Sequence, residues 1–407
     1  MKKTRRVLSA ILAGVMVLAF TACGNGEKKE PGKGGGAKET VNLKVWGAQE
    51  DQQLLGELIT SFKEANKEKN YNITLGVVGE NDAKTKILED PDAAPDVFAF
   101  ANDQLVDLVK AGALYEITRN KEAVISANLP ATVEASTVNG KLYGYPMTAD
   151  NGYFLYYDKS VISEEQVKTL DGILAAAKGK NKKVFMDVSN GWYIASFFLG
   201  GGGTLKIDAD GKQIADFNNE KGLAVAEAIK AFTAHPSFLT GDDAVLTGGM
   251  GDTIAAGVSG TWNADAIKAK LGNNYAAAKL PTFTVNGKQT QMFTFSGSKL
   301  VGVSKGTKAP VDAMAFAEWI TNEASQAKRF AKRALGPSNK KVAESAEVKA
   351  NVALSALAAQ IPFSQPQNNV LGTYWAPAEA FGAQMEAKDY SKTLQEQLDA
   401  MVKAIKG

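Results

Sequence analysis

Apolar positions in the body of the chain alternate between the strand period and the helix period. Leu43 and Val45 alternate with Asn42 and Lys44 and stop at Trp46, which predicts a short strand opening into the loop Gly47 to Asp51. Leu54, Leu55, Leu58, Ile59 and Phe62 then recur at helical spacing and fade in the charged run Lys63 to Lys69, so a helix with one apolar stripe follows. Ile73, Leu75 and Val77 read as a second strand, Val97 to Phe100 as a buried third, and Leu105 to Val109 as a helix ending near Gly112. Strand, helix, strand, helix is the pattern of an α/β layer fold.

Asn139-Gly140, between Val138 and Leu142, predicts a tight hairpin turn, and Tyr143 to Tyr157 is rich in aromatics but broken by Pro146. From about Lys159 the pattern restarts. Val167 to Lys178 reads as helix, Val184 to Asp187 as strand, Gly200 to Gly203 as a turn and Lys221 to Ala234 as a long helix. Phe293 to Val303 alternates as one strand, and Val311 to Ala331 and Val348 to Ala359 are helical in composition. In that stripe Trp319, with Met314, Phe316 and Ile320, belongs to a core, while Trp46 fits a buried wall as well as an exposed plate.

The N-terminus has a different character. Lys2, Lys3, Arg5 and Arg6 precede an apolar run from Val7 to Phe20 and small residues before Cys23, the layout of a secretory leader. The run is shorter than the roughly 20 apolar residues of a spanning helix, so cleavage is the better reading than a retained membrane helix. Cys23 is the one cysteine in the chain, which excludes an internal disulfide. The following stretch of Gly, Lys and Glu, up to about residue 40, is composed as a flexible tether.

Charge and composition remove other classes. The chain has 46 Lys and Arg, and without the leader's four these become 42 against 44 Asp and Glu, a net charge of about −2 with no basic stripe. Nucleic acid is therefore not an expected partner. One histidine, His235, and one cysteine exclude the usual zinc sites, and no metal or cofactor is expected. Gly200 to Gly203 lacks the lysine and hydroxyl that follow a phosphate-binding loop. A body of this length splits into two domains.

Several stretches resemble the solute-binding proteins of bacterial ABC sugar importers, and within them the maltose and maltodextrin binders. The resemblance spans nearly all of residues 41–407. It rests on Leu43-Lys44-Val45-Trp46, Pro95-Asp96-Val97-Phe98, the run Leu108 to Leu114, Asn139 to Pro146, Tyr156-Tyr157-Asp158-Lys159 and Gly260-Thr261-Trp262, in that order. Phe-Thr-Ala-Cys23 resembles a lipobox with Phe where Leu is usual, which implies lipidation of Cys23. The implied architecture is a two-lobe, type II periplasmic-binding-protein-like α/β fold with a hinge and a ligand cleft. Its expected parts are a signal peptide at 1–22, an anchored tether at 23–40, an N-terminal lobe of 41–149 with about 298–340, and a C-terminal lobe of 150–297 with about 341–407. Crossings between lobes are expected near 149–152, 296–299 and 335–350.

A neutral sugar has an apolar C–H face and a rim of hydroxyls, so its site needs aromatic plates beside carboxylate or amide acceptors. The resemblance implies that Phe100, Trp192, Tyr193, Trp262 and Trp375 supply the plates and that Asp103 and Asp150 supply carboxylates. Glu50 and Asp51 would add polar contacts from the first loop. Three positions depart from the family pattern: Gln104 stands where the enteric maltose binder has Arg, Asp150 replaces the usual Glu, and Asn190 is neutral where an acidic acceptor is usual. Phe100 and Tyr193 also fit a core, and Asp103 also fits a helix N-cap. The expected function is a monomeric, extracellular, lipid-anchored binder, not an enzyme, that delivers malto-oligosaccharide to ABC permease subunits. A different oligosaccharide is the alternative cargo, and a surface glycoside hydrolase the remaining one.

Overall fold

The computed structural model describes residues 38–208 and 210–406; the leader, Cys23 and tether residues 24–37 lie outside them. Among the described residues no helix is long and apolar enough to cross a membrane. The elements that position the site are, in order, β1 (Thr40–Gly47), α1 (Gln52–Ala65), β2 (Asn70–Val77), β3 (Val97–Ala101), α2 (Leu105–Lys110), β4 (Tyr145–Pro146), β5 (Phe154–Asp158), β6 (Lys183–Phe185), α3 (Gly191–Gly200) and α4 (Glu220–Ala234). They continue with β7 (Phe238–Leu239), β8 (Ile254–Ser259), β9 (Tyr275–Ala278), β10 (Thr294–Ser296), β11 (Lys299–Val303), α5 (Pro310–Thr321), α6 (Glu323–Arg333), α7 (Val352–Gln360), β12 (Ser364–Pro366) and α8 (Trp375–Ala387).

Two five-stranded sheets share one topology. The first runs β2-β1-β3-β11-β4 and the second β7-β6-β8-β5-β9. In each, three parallel strands meet one antiparallel strand, β11 or β5, which arrives from the segment that built the other sheet. This exchange of strands makes the two-lobe type II fold. The chain passes between the sheets at 147–153 and before β11, and a third time between α6 and α7. The crossings lie side by side: the Ala149 amide donates to the Gly336 carbonyl (2.9 Å) and the Asn151 amide to the Gly297 carbonyl (3.3 Å).

Local chemistry accounts for the elements and for where they differ from the sequence reading. The α1 stripe Leu54, Leu55, Leu58, Ile59 and Phe62 is buried against the first sheet. Asn139 and Gly140 both have positive φ, 51° and 74°, as a tight turn requires. The stretch 293–303 forms two strands, not one, because the chain breaks at Gly297 and Ser298 to make the crossing. A Cβ on Gly297 would lie 2.4 Å from Asn102 Oδ1, so only glycine fits there. The helical stretch 311–331 also divides, at Asn322, whose side chain caps α6 by accepting from the Ser325 amide (2.9 Å). Asn351 does the same for α7 at the Leu354 amide. Trp319 packs its ring edge-on to Phe62 (5.9 Å), half-buried in the first lobe's core, and donates Nε1 to Ser61 Oγ.

Asp51 fastens the start of α1 to α6. Its buried carboxylate pairs with Arg333 (3.1 Å) and with the almost fully buried Arg329 (3.5 Å). Burial would raise its pKa, but Arg329, Lys299 and Arg333 together hold it below the ordinary 3.8. The stability Asp51 adds is therefore complete above the unfolded value and is lost as pH falls through the lower folded one. Asp51→Asn should cost about 3–5 kcal/mol at pH 7, since Arg329 is left buried without its counter-charge. It should also flatten the acid limb of a urea-unfolding stability curve; an unchanged midpoint at pH 7 would refute this.

Candidate functional site

The carboxyl ends of the parallel strands in both sheets converge on one cleft. Glu80 follows β2, Asn102 and Asp103 follow β3, Trp192 follows β6 and Trp262 follows β8. That is where open α/β sheets place ligands, because the loops there are free of the layer packing.

Trp192 and Trp262 form the aromatic centre, with ring centroids 5.9 Å apart and planes at 37°. Each ring is half-buried and each is oriented by its indole N–H. Trp262 donates to Asp243 Oδ2 (3.0 Å), and Trp192 donates to Gln367 Oε1 (3.2 Å). Gln367 passes the contact on, donating to Asn102 Oδ1 (2.7 Å) and Asp103 Oδ1 (3.1 Å). A chain of hydrogen bonds thus joins a plate built on the second sheet to acceptors built on the first.

Gly260 explains the Gly-Thr-Trp motif. A Cβ there would fall 1.8 Å from Trp262 Cζ3, so the indole lies directly over the glycine. Tyr156 fixes that peptide by donating its hydroxyl to the Gly260 carbonyl (2.9 Å).

The polar groups are mostly acidic. Burial pushes the Asp103 carboxyl up to about 6, with Lys84 opposing and Asp107 adding to the rise. Burial also raises Asp243, and Glu50, exposed on the first loop, adds to it by repulsion. Among them stands one deep cation, Lys299. Burial would lower its pKa, yet Glu80, Asp150, Asp51 and Glu50 together hold it above the ordinary range, so it stays charged.

Of the residues expected at the site, the structure brings Trp192, Trp262 and Asp103 together and places Glu50 at the rim. Trp375 starts α8 with its ring edge-on to Phe295 (5.8 Å), half-exposed, and in ring contact with neither of the other two tryptophans. Other expectations are corrected. Phe100 is 0% exposed, packed beside Phe98 and Leu300 in a core, because β3 is central and buried on both faces; it offers no plate. Gln104 is buried and holds the 80–84 loop, donating to the carbonyls of Glu80 (2.8 Å) and Asn81 (2.9 Å) and accepting from the Lys84 amide (2.9 Å). Tyr193 is buried behind Trp192, edge-on to Tyr153 (5.0 Å). Asn190 caps α3 through the Trp192 amide (2.9 Å), Asp51 is consumed by its arginines, and Asp150 Oδ2 accepts from Thr261 Oγ1 and the Gly336 amide, both at 2.6 Å.

Sequence reasoning missed Glu80, Asn102, Asp243, Lys299 and Gln367. The one available signal was Lys299 itself, a lysine opening an otherwise apolar strand.

Residues 57–356 match the family model for bacterial extracellular solute-binding proteins. The chain belongs to that family. The family's members work with ABC importer permeases and act outside the cytoplasm. A galactooligosaccharide-binding protein from Bacillus subtilis (strain 168) is 26% identical over 414 residues, covering 93% of this chain and 92% of that one. A structure solved with acarbose is 31% identical, with a TM-score of 0.82 over 91% of this chain and 99% of that one. The maltodextrin-binding protein of L. casei BL23, solved without ligand, is 26% identical with a TM-score of 0.75 over 90% of this chain and 99% of that one. These matches support a sugar-binding protein of the importer family.

The cleft generates one direct test of its aromatic centre. Gly260→Ala should push Trp262 off Asp243, changing tryptophan emission while far-ultraviolet circular dichroism stays native. Emission identical to wild type would mean that the indole does not lie over Gly260.

Proposed function

We propose that this solute-binding protein captures malto-oligosaccharides and presents them to an ABC importer, held at the outer face of the membrane by a lipid on Cys23. The Trp192–Trp262 pair carries this reading. Two half-buried indoles at 37° suit the curved apolar face of an α-linked glucan, and each has its N–H already bonded, so the part of each ring left exposed serves C–H surfaces. Asp103, Glu80 and Asp243 stand around them as hydroxyl acceptors, the charged kind that forms the stronger hydrogen bonds. The maltodextrin-binding relative supports the same cargo.

The galactooligosaccharide-binding relative favours the second reading, the same cleft with a different oligosaccharide. No hydrolytic step is proposed: Asp150, a natural partner for a second carboxylate, is engaged by Thr261 and Gly336. Titrating maltotriose against intrinsic fluorescence, with galacto-oligosaccharide, lactose and cellobiose alongside, decides between the cargoes. Saturable quenching or enhancement with maltotriose is expected; a response to galacto-oligosaccharide alone would transfer the assignment to the second reading.

Ionisation of Asp103 should appear in the affinity. A sugar hydroxyl donates best to the charged carboxylate, so affinity should rise as pH passes upward through about 6 and level off above it. Asp103→Asn should remove that pH step. A wild-type profile that is flat between pH 5 and 7 would exclude Asp103 from the contact.

A further inference from the structure

Lys299 lies deep in the cleft, ion-paired with Glu80 but with no hydrogen bond to it. Its main chain is fixed, with the Met147 and Thr148 amides donating to its carbonyl (2.9 and 3.2 Å) and its own amide donating to Thr148 Oγ1 (3.3 Å). The side chain is 14% exposed, yet its ammonium makes no hydrogen bond among the described residues. It stands 3.6 Å from Glu80 Oε2 and 5.8 Å from the centre of the Trp262 ring. Less buried lysines in this protein do use their donors: Lys69 (28% exposed) bonds Asp312, Lys84 (23%) bonds Asp107 and Lys182 (20%) bonds the Gly251 carbonyl. An ammonium carries three donors, and here they meet only the Glu80 ion pair and the Trp262 ring, so donors remain for a hydroxyl. Glu80 is equally prepared, its loop held by Gln104.

We propose that Glu80 and Lys299 form a two-point clamp for a single sugar hydroxyl on the ring that lies against Trp262. A hydroxyl is the group that can donate to the carboxylate and accept from the ammonium at once. The clamp therefore reads the position of that hydroxyl and fixes the ring's orientation on the plate. This rests on the sugar-binding reading and adds a specificity pair to it. An apolar group at that ring position would forfeit both contacts of the clamp, so discrimination should be strong.

The test uses the purified protein with maltose and its 2-, 3- and 6-monodeoxy analogues, measured by calorimetry for wild type, Lys299→Met and Glu80→Gln. Each variant should bind maltose roughly ten- to hundredfold more weakly, the range for hydrogen bonds to charged groups. One analogue should be penalised in wild type and no longer penalised in either variant. Thermal unfolding without sugar shows whether the variants fold, and two variants of different chemistry guard against one failing to. Equal penalties for every analogue in wild type and both variants would overturn the clamp, as would wild-type affinity in Lys299→Met. If wild type binds galacto-oligosaccharide and not maltose, the cargo reading falls, and the same cycle on deoxy-galactosides tests the clamp separately.

Discussion

One oxygen atom joins the crossings between the lobes to the aromatic face of the cleft. Asp150 Oδ2 accepts from the Gly336 amide on the third crossing and from the Thr261 hydroxyl beside Trp262, each at 2.6 Å. A buried carboxylate persists only where several donors meet it. Here the donors come from separate stretches of chain, so satisfying the charge forces them together. Gly336 is needed for the approach, because a Cβ would lie 2.8 Å from that of Asp150. Hinge closure of two lobes turns on a few such residues, and at Asp150 the hinge and the aromatic plate are one residue apart.

The cleft chemistry follows from that frame. Each sheet sends its strand ends toward the other, and the loops there carry complementary groups: Glu80, Asn102, Asp103 and Lys299 from the first sheet, the two indoles and Asp243 from the second. Gln367 links the two through Trp192 and Asn102. The cleft is therefore assembled from both lobes.

The architecture was largely legible in the sequence, because each element has a local cause. The β1 alternation, the α1 stripe, the Asn139-Gly140 turn and the Gly-Thr-Trp motif all act over a few residues. The site was legible where a large aromatic stood beside glycine or polar neighbours, as at Trp192 and Trp262. It was misread where burial decided the role. Phe100 follows an apolar run, and likeness to the family implies a plate there, but a central strand buries both faces. Gln104 and Asn190, polar and suitably placed, serve backbone groups instead, Gln104 those of the 80–84 loop and Asn190 the start of its own helix. Glu80 and Lys299 are separated by more than two hundred residues, and only the return of β11 beside β3 brings them together.

A crystal structure of the protein with maltotriose tests the central claim most directly. The account predicts glucose rings lying against the faces of Trp192 and Trp262, with hydroxyls within hydrogen-bonding reach of Asp103, Glu80 and Lys299. A sugar bound elsewhere, or bound in the cleft with both indole faces untouched, would contradict it.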